Sequence, residues 1–153
     1  MNYESLLEQA SALWTGRWLT DLSNTSAFIF SEFKDVNWAG FYIFNGRKLV
    51  LGPFQGKPAC TDIEIGRGVC GKAFGDRRTL RVPDVHKFDG HITCDPVSRS
   101  ELVVPLISRG QIYGVLDIDS PVVDRFSAED QKFFEKLVPA LLNSLEDLST
   151  LPR

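Results

Sequence analysis

The chain has 153 residues, 43% apolar and 24% charged, with a net charge of −3. Those values exclude a disordered chain and predict one domain over residues 1–153, with a core large enough to fold alone. No long basic run marks a nucleic-acid partner, and no apolar run approaches the roughly 20 residues that a membrane span requires. The start, Met1 to Glu8, lacks the basic and apolar regions of a signal peptide, and three cysteines are an odd number. Together these features predict a cytoplasmic, reduced protein whose cysteines are buried, metal-bound or catalytic rather than structural disulfides.

Tyr3, Leu6, Leu7, Ala10 and Leu13 recur near helical spacing over residues 3–14, and Thr15-Gly16 ends that helix. A second helix is predicted over 17–33 from Trp18, Leu19, Leu22, Ala27, Phe28, Phe30 and Phe33. Val36 to Phe44 is rich in strand formers and closes on Asn45-Gly46, a strong hairpin signal, so Lys48 to Gly52 is the return strand. Gly52 to Pro58 then reads as a loop. It resembles a phosphate-binding loop only superficially, since it is one residue short and Pro58 stands where a magnesium-holding hydroxyl belongs. Cys60 to Ile65 alternates as a short strand.

Gly66-Arg67-Gly68-Val69-Cys70-Gly71 formally matches a dinucleotide fingerprint, but the helix candidate after it, Val69 to Phe74, stops at Gly75. A tight turn into a short helix is the better reading. Cys70 would then lie near a helix N-terminus, where the dipole favours a thiolate. Thr79 to Val82 is a strand candidate. Asp89 to Pro96 reads as a loop carrying His91 and Cys94, and Glu101 to Ile107 as a buried strand. Ile112 to Asp119 is the next strand, and its alternation puts Asp117 and Asp119 on one face. Ser127 caps a last helix, with acids in its first turn and a broad apolar face from Phe133 to Leu148, kinked at Pro139. The order predicts an α+β fold with a mainly antiparallel sheet. The apolar faces of the terminal helices suit either a homodimer or burial on each other and on the sheet.

Cys60, Cys70 and Cys94 all fall in Gly-, Pro- or Asp-rich loops or strand edges, outside the apolar periodic runs. A zinc site from His86, His91 and these cysteines is weakly supported, because no pair has Cys-x-x-Cys spacing; no metal is expected. A Cys–His nucleophile pair lacks any mark of an oxyanion hole.

Six stretches carry a family resemblance: Gly52 to Cys60, Gly66 to Gly71, Val82 to His86, Gly90 to Asp95, Ser100 to Pro105 and Gly114 to Ser120. The chain resembles the free methionine-(R)-sulfoxide reductases, single GAF-domain enzymes, over nearly its whole length. The resemblance implies a GAF-like six-stranded antiparallel sheet with helices on both faces, the N- and C-terminal helices on one side. It implies reduction of free L-methionine-(R)-sulfoxide by thiols without a cofactor, through a sulfenic acid and an intramolecular disulfide that thioredoxin reduces. Cys94 would be catalytic, Cys60 resolving and Cys70 a lesser or alternative resolving thiol. Glu101, Asp117 and Asp119 would line the substrate site, and Trp38 would pack on the substrate methyl group. Chemistry agrees, since a sulfoxide needs an acid at its oxygen before a thiolate attacks, and crowded carboxyls retain a proton near neutral pH. The alternative of another class is a GAF module that senses a ligand or redox state without turnover.

Overall fold

The computed structural model describes residues 1–92, 94–146, 148 and 151. Two helices open the chain, α1 (Tyr3–Ser11) and α2 (Trp18–Glu32). Their junction is held by buried Asp21, whose carboxylate accepts from the Thr15 amide and hydroxyl and from the Gly16 amide, all at 2.8 Å. Strands β1 (Trp38–Phe44), β2 (Leu49–Gly56) and β3 (Asp62–Ile63) follow, then helix α3 (Gly68–Asp76) and strand β4 (Leu80–Val82). A 3-10 turn at Val85–Lys87 leads through the Cys94 loop into β5 (Ser100–Ser108) and β6 (Gln111–Ser120), and α4 (Ala128–Ser144) completes the fold.

The strands form one six-stranded sheet in the order β3-β2-β1-β6-β5-β4. Every neighbouring pair is antiparallel. Successive strand residues face opposite sides, and the two sides bury different partners. Ala39, Phe41 and Ile43 of β1, Leu102, Val104 and Leu106 of β5, and Leu116 and Ile118 of β6 pack against α1, α2 and α4. Trp38, Tyr42, Val103 and Val115 face α3, which contributes Val69, Cys70, Ala73 and Phe74. This is the expected α+β arrangement: helices on both faces, with the N- and C-terminal helices together on one. The broad face of α4, from Phe133 to Leu142, is consumed inside that larger core.

Several predicted boundaries move. The stretch read as a loop from Gly52 is strand as far as Gly56, with Pro53 inside it. Proline fits there because β3 pairs only with Leu49 and Val50, and the β1–β2 register shifts between Gly40 and Tyr42, beside Pro53. The strand expected over Cys60 to Ile65 shrinks to Asp62–Ile63. Helix α4 continues through Pro139 but ends at Ser144, so Leu145 and Leu148 pack from beyond it. Its start is a full capping box between Ser127 and Asp130. In the Cys94 loop, Thr93 lies outside the described residues. No helix among the described residues is long and apolar enough to cross a membrane.

Gly114 of β6 lies against Ile43 of β1 with φ of +155°, and an added Cβ would collide with the Tyr42 carbonyl oxygen. Backbone cannot yield there without opening the central pair. Gly114→Ala should therefore cost about 3 kcal/mol, seen as a fall in Tm of roughly 6–12 °C by calorimetry.

Candidate active site

The strand register builds the site. On the face towards α3, Trp38 of β1 lies opposite Asp119 of β6, and Asp119 lies opposite Glu101 of β5. One row of the sheet thus reads Trp38, Asp119, Glu101. The next row reads Gly40, Asp117, Val103. Alternation along β6 returns the second acid to the same side, and pairing brings the third from β5. The three carboxyls are 8%, 6% and 9% exposed for Glu101, Asp117 and Asp119. The prediction that Asp117 and Asp119 share a face holds, and the face is interior rather than a solvated strand end.

Above the acids lies a pocket of about 50 Å³, closed on one side by Gly68, Val69 and Cys70 at the start of α3. Pro58, Ala59 and Ile63 line another side, and His91, Ile92, Cys94, Asp95 and Ser98 of the long loop line a third. Cys60 and Cys94, 34 residues apart in sequence, meet here in a disulfide with their Cα atoms 5.5 Å apart. Composition alone predicts free thiols throughout; only Cys70 is free, and it is buried. Both disulfide segments are tethered to β1 and the residue before it. The Tyr42 hydroxyl donates to the Cys60 carbonyl at 2.9 Å. The Asn37 amide donates to Asp95 Oδ2 at 3.2 Å and to Ser98 Oγ at 3.1 Å.

Trp38 forms the apolar wall. Its indole stacks on Phe54 with ring centroids 5.2 Å apart and on Tyr42 at 5.9 Å, and its Nε1 donates to the Lys57 carbonyl. Gly40 makes this stack possible, because a Cβ there would collide with Phe54 and lie 2.8 Å from Trp38 Cη2.

Electrostatics follow from burial. Loss of water pushes the carboxyls of Glu101, Asp117 and Asp119 well above the ordinary range, and their mutual repulsion pushes further. Cys70 sits in the first turn of α3 and donates to Glu101 Oε2 at 3.8 Å. The thiolate stabilisation expected from the helix dipole does not prevail. Burial and the charges of Asp117, Glu101 and Asp119 instead push this thiol up. One turn of dipole contributes at most about 2 kcal/mol, less than dehydration beside three acids costs. Burial, followed by the neighbouring His86 ring, lowers the pKa of His91. Among the described residues the one cluster of three close metal-ligand donors is Cys70, Glu101 and Asp117, so His86, His91 and Cys94 do not gather as a metal set.

The GAF domain family model matches residues 12–143. The free methionine-R-sulfoxide reductase of Escherichia coli is 50% identical over 141 residues, covering 91% of this chain and 86% of that protein. The chain belongs to the free methionine-R-sulfoxide reductase family, on the GAF fold. A Staphylococcus aureus member solved in complex with its substrate superposes with a TM-score of 0.89 at 46% identity, covering 94% of this chain and 95% of that one. A Neisseria meningitidis member, also solved with its substrate, gives a TM-score of 0.90 at 40% identity, covering 94% and 88%.

Of the seven site residues expected from sequence, Trp38, Cys70, Cys94, Glu101, Asp117 and Asp119 line this reductase-family pocket, and Cys60 joins through its disulfide. Sequence reasoning missed Tyr42, Asn37 and Phe54. Tyr42 was within reach, since it lies two and four residues beyond Gly40 and Trp38 on the same strand face. Nothing local marked Asn37, whose partners are 58 and 61 residues away.

Two outcomes test this geometry. Because the three acids hold their protons to higher pH when folded than when unfolded, they favour the native state at low pH. That contribution is lost as pH rises from the ordinary carboxyl range, near 4, through their raised folded values. Asp117→Asn removes one buried acid and should raise stability at pH 8 by roughly 0.5–2 kcal/mol, with the gain shrinking towards pH 4, as followed by thermal melts. Gly40→Ala should displace Trp38, read as a red shift of tryptophan fluorescence without loss of the far-ultraviolet spectrum.

Proposed function

We propose that the protein reduces free L-methionine-(R)-sulfoxide to L-methionine, acting as one GAF domain over residues 1–153. The observation that carries this reading is the meeting of a Cys60–Cys94 disulfide with three buried, proton-holding acids in a single pocket. Family membership supports it, as do relatives solved with their substrate.

The Cys94 thiolate attacks the sulfoxide sulfur while Glu101 or Asp119 protonates its oxygen. The oxygen passes to Cys94 as a sulfenic acid, and methionine leaves. The Cys60 thiol then attacks the sulfenic sulfur, forming the Cys60–Cys94 disulfide and releasing water. A dithiol of the thioredoxin class reduces that disulfide by exchange. The sum is one sulfoxide and one dithiol converted into methionine, a disulfide and water. Trp38 supplies the wall for the S-methyl group, and the acids that are not protonating the oxygen, Asp117 among them, pair with the α-ammonium. Cys70 is a slower alternative to Cys60, because burial and the nearby acids oppose its thiolate. The cytoplasm, where thiols are kept reduced, suits such a cycle.

Three variants and one substrate series test this. Cys94→Ser should form no methionine even in a single turnover, whereas Cys60→Ser should complete one and then hold the sulfenic acid for as long as Cys70 resolves it slowly. Full single-turnover yield from Cys94→Ser would remove Cys94 as the nucleophile. Glu101→Gln should slow the single-turnover rate by about 10²–10⁴-fold, with circular dichroism as the folding control. N-acetylated or peptide-bound sulfoxide lacks the ammonium, leaves a buried carboxylate unpaired, and should be rejected by a similar margin or more. Methionine release from each purified epimer, free and acetylated, measures this. Ligand binding without any methionine release would favour a sensor module instead.

A further inference from the structure

The floor of the pocket holds a donor set that the proposed reduction does not use as a unit. Cys70 Sγ and one carboxylate oxygen each from Glu101 and Asp117 lie within 4.8 Å of one another. The three come from separate elements, α3, β5 and β6, so packing rather than loop conformation fixes their spacing. Cys70 is a free thiol even though the other two cysteines are joined to each other. A second observation sets this apart from an ordinary acidic cluster. Asp117 Oδ1 is fully buried, and no amide, hydroxyl or other donor outside the acid cluster and its thiol reaches it among the described residues. A dehydrated carboxyl oxygen in such a cluster is relieved either by a proton shared with the neighbouring acids or by a cation in its place.

The donor chemistry narrows the cation. One thiolate with two carboxylates suits a borderline-soft divalent ion that accepts sulfur and oxygen together in four-coordinate geometry. Magnesium and calcium prefer all-oxygen shells of six or more ligands. The adjoining cavity of about 50 Å³ leaves room for water as a fourth ligand. We propose that Cys70, Glu101 and Asp117 form a binding site for a thiophilic divalent cation of the zinc class, which excludes substrate from the pocket. Binding exchanges the Cys70 S–H proton for the metal, and any proton held by the two acids also leaves; nothing is oxidised or reduced. The exclusion of substrate rests on the proposed reduction, because cation and α-ammonium would claim the same carboxylates. The site itself rests on geometry alone.

Cobalt(II) is the probe, since thiolate ligation gives a near-ultraviolet charge-transfer band and four-coordination gives intense visible bands. Wild-type protein in its disulfide form should bind one cobalt with both signatures, and zinc should displace it while magnesium should not. Cys70→Ser should lose the charge-transfer band. Asp117→Asn should weaken binding at least about tenfold, the effect that even loss of an outer-shell partner commonly produces. Thermal melts confirm that each variant is folded. A Cys60→Ser/Cys94→Ser double variant, with Cys70 its one remaining thiol, should keep the band and cannot turn over. Saturating methionine sulfoxide should lower its cobalt affinity at least tenfold. Absence of the band in wild type, or its persistence in Cys70→Ser, overturns the metal site. A band indifferent to methionine sulfoxide overturns the exclusion. Because absorbance is read without catalysis, the site would stand or fall separately from reductase activity.

Discussion

Three carboxyl groups and a thiol held away from water form the constraint around which the rest of this molecule is arranged. Ordinary packing would replace such a group with apolar side chains, as Ala39, Phe41, Leu102, Val104, Leu116 and Ile118 do on the opposite face of the sheet. The two faces divide the labour. Ala39, Leu102, Leu116 and Ile118 fasten the central strands to three helices, so the strand positions next to them can hold acids without loosening the sheet. Stability on one side maintains an unfavourable but reactive arrangement on the other, a common relation between scaffold and active site.

Strand β1 is the frame of that arrangement. Trp38 forms the wall, Tyr42 ties down the Cys60 carbonyl, and Asn37, just ahead of the strand, grips the loop that carries Cys94. Two cysteines from separate segments are thereby referred to one rigid strand. Positioning of this kind lowers the entropic cost of bringing reacting groups together.

Much of this was legible in the chain. Alternation in β6 put Asp117 beside Asp119, the Ser127 cap announced α4, and Asn45-Gly46 announced the β1–β2 hairpin. The family motifs mark residues that come to line the pocket. What the sequence hid was pairing across distance. Nothing local says that Trp38 faces Asp119 or that Asp119 faces Glu101, because register between β1, β6 and β5 is decided by the whole sheet. The thiolate expected at Cys70 failed for a similar reason: helix position is local, but the acids that oppose the charge arrive from two other strands. Pro53 misled through its usual meaning, since a proline breaks a ladder only where a ladder is required on both sides.

The outermost strands are also the shortest, two residues in β3 and three in β4. Beyond β3, the rim of β2 carries Pro53, which has no N–H to offer, and its carbonyl already accepts from the Ser26 hydroxyl. Unpaired backbone along a sheet margin is the usual template on which other chains add strands, nucleate aggregates or swap segments. Here the outermost strands offer only two and three residues of it. Edges this short leave strand addition little backbone to pair with. In the proposed cycle, a protein dithiol that reduces Cys60–Cys94 would meet side chains and loop surfaces rather than a long free strand edge.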